Sequence, residues 1–186
     1  MKLIKSSDYR TMPWKNGQGQ TAEIEIFPAN AHFAENDFIW RLSSAPIKTS
    51  GPFSMFPGFD RILTVWKGDG LIINGRHHGP LAPFSFSGEV PIDCAPDGDG
   101  VTDLGLIYRR DRVQASMELK MFAGHPMAKK LVLAEGVHFL VCMKGSFQVG
   151  DLSLEAGDTI KIDVAETIHV LSPHGATCIH VHIHRF

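Results

Sequence analysis

Apolar and polar residues alternate with a period of two along most of this chain. Residues 21–27 set Ala22, Ile24 and Ile26 against Thr21, Glu23 and Glu25, the signature of a strand with one buried face. Residues 38–42 repeat it, with Phe38, Trp40 and Leu42 on one side and Arg41 on the other. Residues 61–66 are rich in β-branched and aromatic side chains, and residues 71–73 run into Asn74-Gly75, a strong hairpin signal. Segments 83–86 and 104–108 complete the first half.

The pattern restarts after Arg112. Residues 113–122 alternate, and residues 137–143 are almost wholly apolar, as expected of a strand buried on both faces. Short strands follow at 147–149, 152–154, 159–162, 168–171 and 178–184, separated by Gly145, Gly150, Gly157-Asp158, Pro173 and Gly175. Residues 127–135 fit one or two helical turns, or a strand through Leu131, Val132 and Leu133. The whole reads as an all-β sandwich or barrel architecture. Both halves contain a long strand ending in Lys-Gly, at Lys67-Gly68 and Lys144-Gly145, followed by a short hairpin. This weak internal repeat predicts two fused domains, residues 1–112 and 113–186, joined near 113–124.

Composition narrows the function classes. The 186 residues are 44% hydrophobic and 20% charged, with a formal net charge of −2, so a sizeable core is expected and disorder is confined to the ends. The one basic cluster, Arg109, Arg110 and Arg112, is interrupted by Asp111, which argues against a nucleic-acid partner. Residues 1–10 lack the apolar core of a signal peptide. No apolar run reaches the roughly 20 residues a membrane span needs. A cytoplasmic protein is expected, without membrane or nucleic-acid partners and with a homo-oligomer open. Cys94, Cys142 and Cys178 are odd in number and none forms a CxxC pair; they read as free, buried thiols of a reducing compartment.

Several long strings resemble the HutD/Ves family. They are Met12-Pro13-Trp14-Lys15-Asn16-Gly17-x-Gly19-x-Thr21-x-Glu23-Ile24, Trp40-Arg41-Leu42-Ser43-x-Ala45, and Gly51-Pro52-Phe53-Ser54-x-Phe56-Pro57-Gly58-x-Asp60-Arg61, with Asp103 and Arg110 beyond. The resemblance spans most of the chain and is strongest over residues 12–110. It implies two cupin-type β-barrels, a bicupin of jelly-roll kind. It also implies an association with histidine utilisation in some members and stress response in others, and a small ligand such as formylglutamate. One departure concerns Gly105, where the resemblance implies a polar residue, usually Asn, two positions after Asp103.

Cupins that hold a metal usually place a glutamate seven residues before a glycine, with two histidines upstream. Arg61 stands seven residues before Gly68, and Ser54 to Pro57 contain no histidine. A guanidinium offers only donors, so it excludes a metal and matches a carboxylate. The expected ligand is therefore a small acidic metabolite, with Arg61 on one carboxylate and Lys15 or Arg110 on a second, and no cofactor. The plainer reading of Arg61 is an ion pair with Asp60 or Asp103. Trp14-Lys15-Asn16 forms a candidate closing loop, with Trp14 as lid and Asn16 as donor, or a packed turn. Ser54 and Phe56 join the candidates through their motif. Arg41 is a candidate by resemblance alone, because a lone arginine opposite an apolar face is expected in solvent.

Two rival readings remain. A metal-independent isomerase or hydrolase would use Asp60 or Asp103 as base, against the expectation that a neighbouring arginine depresses the carboxyl pKa. A metal-dependent oxygenase would use His180, His182 and His184, which alternate on one strand face, with His169 and His174 nearby in sequence. No facing ligand from a second strand is identifiable, and the simpler reading is a terminal strand with a polar outside. His77-His78 reads as a solvated hairpin turn, and Asp97 and Asp99 as surface. No nucleophile elbow, phosphate loop or dinucleotide fingerprint is present.

Overall fold

A computed structural model describes residues 1–13 and 19–185. Strands make up its regular structure, apart from single 3-10 turns at Ser6–Asp8 and Phe33–Glu35. The ambiguous segment is a strand, His125–Leu133, paired with Glu166–Ser172 at one edge of its sheet; β-branched and edge-pairing preferences prevail there over helix formation. Among the described residues no helix is long and apolar enough to cross a membrane.

The chain divides into two compact units, Tyr9–Val113 and Met1–Asp8 with Gln114–Phe186. The first eight residues thus leave the half to which their position in sequence assigns them. Lys2–Ile4 pairs with Thr159–Ile162, and the buried Asp158 carboxylate accepts from Lys5 Nζ at 2.7 Å and from the Ser6 N–H at 3.1 Å.

In the Tyr9–Val113 unit a seven-stranded sheet runs in the order Phe84–Ser87, Phe59–Lys67, Val101–Arg109, Trp40–Ser44, Gln20–Phe27, Arg10–Pro13, with Pro46–Ile47 also paired to Val101–Arg109. A four-stranded sheet joins Gly51–Pro52, Asp93–Asp97, Gly70–Ile73 and Arg76–His78. Asn74 and Gly75 both have positive φ, 48° and 79°, the geometry a type I′ hairpin needs. His77 and His78 lie in the strand after that turn; His77 meets Asp97 at 3.2 Å and His78 packs on Phe84. Leu63 and Val65 of one sheet pack with Leu71, Ile73 and Cys94 of the other, so the sheets enclose a core between them.

In the second unit the 13-residue strand Val137–Val149 pairs with four others, including Ala176–Arg185. Its core gathers Leu140, Cys142, Phe147, Leu154, Ile160, Ile162, Val170 and Cys178. All three cysteines are free and buried. Among the described residues, strand pairing closes no ring in either unit. The architecture is therefore all-β with open sheets, and the two closed barrels expected from sequence are not present as continuous pairing.

Candidate functional site

Direct cross-strand partners share a sheet face, as do residues two apart on one strand. These two rules map the inner face of the seven-stranded sheet. Ile107 stands opposite Arg61 on one side and opposite Arg41 on the other. Two residues along, Gly105 stands between Leu63 and Ser43. Two residues further, Asp103 pairs with Val65 in the same register, just before the shift that separates it from Thr102. Arg61, Leu63 and Val65 therefore look the same way, into the core between the sheets. Neighbouring strands lie about 4.8 Å apart, so Arg61 and Arg41 begin about 10 Å apart across that floor.

Gly105 leaves a gap in it. A Cβ built there meets nothing within 4 Å, and its φ lies outside the left-handed region. The residue that departs from the family strings thus faces open space, on the strand that lies between those of Arg61 and Arg41.

Arg41 corrects the solvent expectation. It is 4% exposed, its Nε donates to Glu23 Oε2 at 2.7 Å, and its guanidinium lies 4.0 Å from the Phe33 ring centroid. Glu23 is itself 5% exposed. Sequence reasoning missed Glu23 because it alternates cleanly with apolar residues, as an outward glutamate would.

Arg61 is partly buried. Its guanidinium carbon lies 4.7 Å from the Phe53 ring, 5.2 Å from Phe86 and 5.7 Å from Phe56. Its one polar contact among the described residues is a long bond from Nη1 to the Ser54 carbonyl, 3.5 Å. That carbonyl and the buried Phe56 ring are what these two candidates contribute; Ser54 itself is exposed. Burial lowers the Arg61 pKa to about 10, with Asp103 opposing that shift. The group stays cationic at neutral pH.

Asp60 does not pair with Arg61. It meets Arg110 Nε at 3.1 Å. Arg110 also donates to the Phe59 carbonyl at 2.8 Å and Ser87 Oγ at 3.0 Å, and lies 3.5 Å from Glu89. Asp60 and Arg110 therefore tie loops together, which leaves Arg110 no spare fork for a second carboxylate. Trp14, Lys15 and Asn16 lie outside the described residues.

Asp103 is 8% exposed, and its Oδ1 accepts from the Ala45 N–H at 2.8 Å. It feels Arg61 and Arg41 but contacts neither as an ion pair. Burial outweighs those charges and pushes its pKa up to about 6. The sign is opposite to the one expected from sequence, where the arginine can be counted and the desolvation cannot.

The histidines occupy an inner face too. His180 and His182 share it with Cys178, opposite Leu140, His138 and Cys142 of the neighbouring strand, over the core that contains both cysteines. The polar-outside reading fails for His180 and His182, which are half-buried over that core, and holds for the exposed His184. The residue that sequence missed is His138, 1% exposed, hidden in the apolar run 137–143. Its Nε2 lies 3.0 Å from the Ala134 carbonyl, so Nε2 carries the proton and Nδ1 accepts from His180 Nε2 at 2.9 Å. His182 donates to the Glu135 carbonyl at 2.9 Å and stacks on His138. Burial lowers the His180 pKa to about 4, helped by His138 and Lys120. His169 and His174 are exposed, and His169 pairs across to Lys130. Among the described residues the one trio of ligand-type side chains with atoms converging within 4.8 Å is the exposed His32, Glu35 and Asp37, so the C-terminal histidines do not converge as a three-ligand centre.

Comparison with known proteins identifies the family. Residues 6–179 match the family model HutD. An uncharacterized 21.2 kDa protein in the hutC 3′ region of Pseudomonas putida is 35% identical, over 96% of this chain and 95% of that one. The structure of HutD from Pseudomonas fluorescens SBW25 is 29% identical with a TM-score of 0.81, covering 100% of this chain and 98% of that one. A cupin 2 conserved barrel domain protein from Leptotrichia buccalis, 10% identical with a TM-score of 0.57 over 98% and 96% of the two chains, shares the fold alone. The chain belongs to the HutD family and has a cupin-like fold.

Proposed function

We propose that this protein binds a small carboxylate-bearing metabolite between the two sheets of the Tyr9–Val113 unit, with Arg61 as the anion-binding group. The observation that carries this reading is an inward arginine, lined by Phe53, Phe56 and Phe86, with no carboxylate partner among the described residues and an open space beside it at Gly105. A guanidinium in such a place has lost water without gaining a counter-charge, and a planar carboxylate restores both. Arg41 and Glu23 are a fixed wall of the site, their charges already matched. Each unit is read as a cupin-like fold of open sheets, the ligand sitting between the two sheets of the first. One relative is named for the hutC 3′ region and another is HutD, which favours an amino-acid catabolic intermediate such as formylglutamate and a role in histidine utilisation.

Asp103 supports a second reading. A carboxyl group with a pKa of about 6 beside an anion site is suited to proton transfer near neutrality. Turnover of a bound carboxylate, followed by NMR, would promote the metal-independent enzyme over the binding protein.

The test is calorimetric titration with N-formylglutamate, glutarate and acetate. Arg61→Ala should weaken the tightest of them at least tenfold, about 1.4 kcal/mol. Arg61→Lys should recover only part, since an ammonium lacks the fork. Arg112→Ala is the control, its side chain being 66% exposed beside Asp111. Circular dichroism checks that each variant folds. Wild-type binding by Arg61→Ala would make Arg61 a structural tie and end this reading.

A further inference from the structure

Counting charge around the site gives a zero sum. Arg41 is matched by Glu23 at 2.7 Å. Among the described residues Arg61 has no counter-ion in contact, and Asp103 is held by backbone N–H groups, that of Ala45 at 2.8 Å and its own. These two face the same space from neighbouring strands without touching. An incoming carboxylate would meet Arg61 but would also bring a third negative charge beside Glu23 and Asp103, against two positive ones. In a space with little water that surplus is expensive.

We propose that this site takes up one proton with each carboxylate it binds, and that Asp103 is the residue that receives it. The inference rests on the carboxylate-binding reading above. A protonated Asp103 removes the surplus charge and turns an acceptor into a donor, so its O–H can reach a ligand oxygen while its other oxygen keeps the Ala45 N–H. The groups that act on Asp103 fit this role. They are Arg61 from Phe59–Lys67, Arg41 from Trp40–Ser44 and Cys94 from Asp93–Asp97; Glu23 is held against Arg41. Cys94 is a neutral thiol at physiological pH, pushed up to about 11 by burial, and Arg41 is committed to Glu23. Arg61 is the cation that holds Asp103 ionised and can be diverted by a ligand. Once a carboxylate occupies Arg61, the burial that already pulls the Asp103 pKa up to about 6 acts with less opposition. The stoichiometry balances: one proton leaves solvent, one forms the Asp103 O–H, and no bond of the ligand changes. The ligand class sharpens accordingly to carboxylates with a second oxygen acceptor near the first.

The experiment is titration of glycolate, a single carboxylate with a neighbouring hydroxyl that is almost wholly ionised from pH 5 upward, into the whole protein at pH 5, 6, 7 and 8, in buffers of low and high ionisation enthalpy. Wild type should show little proton uptake at pH 5, where Asp103 is already protonated, and close to one proton per glycolate at pH 7. The dissociation constant should rise up to tenfold per unit above pH 6. Asp103→Asn, a neutral isostere of the protonated state, should bind without proton uptake, keep a flat pH profile, and exceed wild type in affinity at pH 8. Binding by wild type with no proton uptake at pH 7, or uptake that persists in Asp103→Asn, overturns the proposal and leaves the carboxylate reading standing. Absence of any binding, or wild-type binding by Arg61→Ala, removes both. The wild-type profile decides the matter even if Asp103→Asn does not fold.

Discussion

Each unit places one inward polar side chain seven residues before the glycine of a Lys-Gly pair: Arg61 before Gly68, and His138 before Gly145. Gly68 follows the end of its strand, whereas Gly145 lies within Val137–Val149, which runs on through the pair where sequence expected it to end. Both glycines have positive φ, and a Cβ at either would strike backbone atoms of the facing segment, so each pins its strand closely. The polar residues then diverge. His138 finds every partner within its own unit, donating to Ala134 and accepting from His180. Arg61 finds aromatic rings and one distant carbonyl. Burial penalises a charge in both places, and each unit answers it differently. The second unit holds His138 and His180 neutral and closed on one another. The first leaves a cation with no counter-ion among the described residues. An inward polar residue is therefore no pointer to function until its partners are known.

The largest expected effect separates the two arginines of the first unit. Glu23→Ala strands the buried Arg41 charge and should destabilise the protein by about 3–5 kcal/mol. The double change Glu23→Leu with Arg41→Met should recover most of that loss, since an apolar pair of similar volume is often neutral. Arg61→Ala, by contrast, should move the unfolding midpoint little. All three tryptophans belong to the Tyr9–Val113 segment, so urea titration followed by tryptophan fluorescence reads this unit. An equal loss in Glu23→Ala and Arg61→Ala would mean that both arginines are structural, and the contrast would collapse.

A smaller effect belongs to the histidines. The His180 pKa is about 4 against an ordinary 6.5. Between those values an unfolded chain binds a proton that the folded one refuses, so stability falls as pH drops through this window and is fully present above it. Each pH unit across the window is worth about 1.4 kcal/mol, so the ceiling is roughly 3 kcal/mol, less whatever solvent relieves. Far-UV circular dichroism in urea should show this slope between pH 6.5 and 4 for wild type, and a flatter one for His180→Asn. An unchanged slope in the variant would assign the acid sensitivity elsewhere.

Strand positions were legible because half-buried strands keep a period of two, as residues 113–122 show by forming the strand Val113–Phe122. The same rule failed where both faces are buried. Arg41 and His138 sit in strands whose neighbours are apolar or covered on either side, so alternation assigns them a face without saying what that face meets. Asp93–Asp97, with its Pro96 and two aspartates, carried no strand signal at all, yet pairs with Gly70–Ile73; its order comes from tertiary pairing. Arg61 was legible through its spacing to Gly68. The sign of the Asp103 shift was not, since it depends on how much water the fold removes.

The smallest effect tests whether the gap at Gly105 is a seat or merely a vacancy. A methyl group there meets nothing within 4 Å, and the backbone does not need a left-handed residue. Gly105→Ala should therefore not strain the fold. It should stabilise the protein by about 0.4–1 kcal/mol, because alanine restricts the unfolded chain more than glycine does. Stability alone would then favour alanine at this position. If the space is where a carboxylate lies between Arg61 and Asp103, the added methyl intrudes on it. The variant should bind glutarate more weakly while melting at a higher temperature. Differential scanning calorimetry and isothermal titration on the same sample measure both. A stabilised variant with unaltered affinity would show that the ligand does not use this space, and would move the site along the Arg61 row toward Phe53 and Phe86. Lower stability would mean that the gap is needed by the fold, and Gly105 would lose its place in the functional argument.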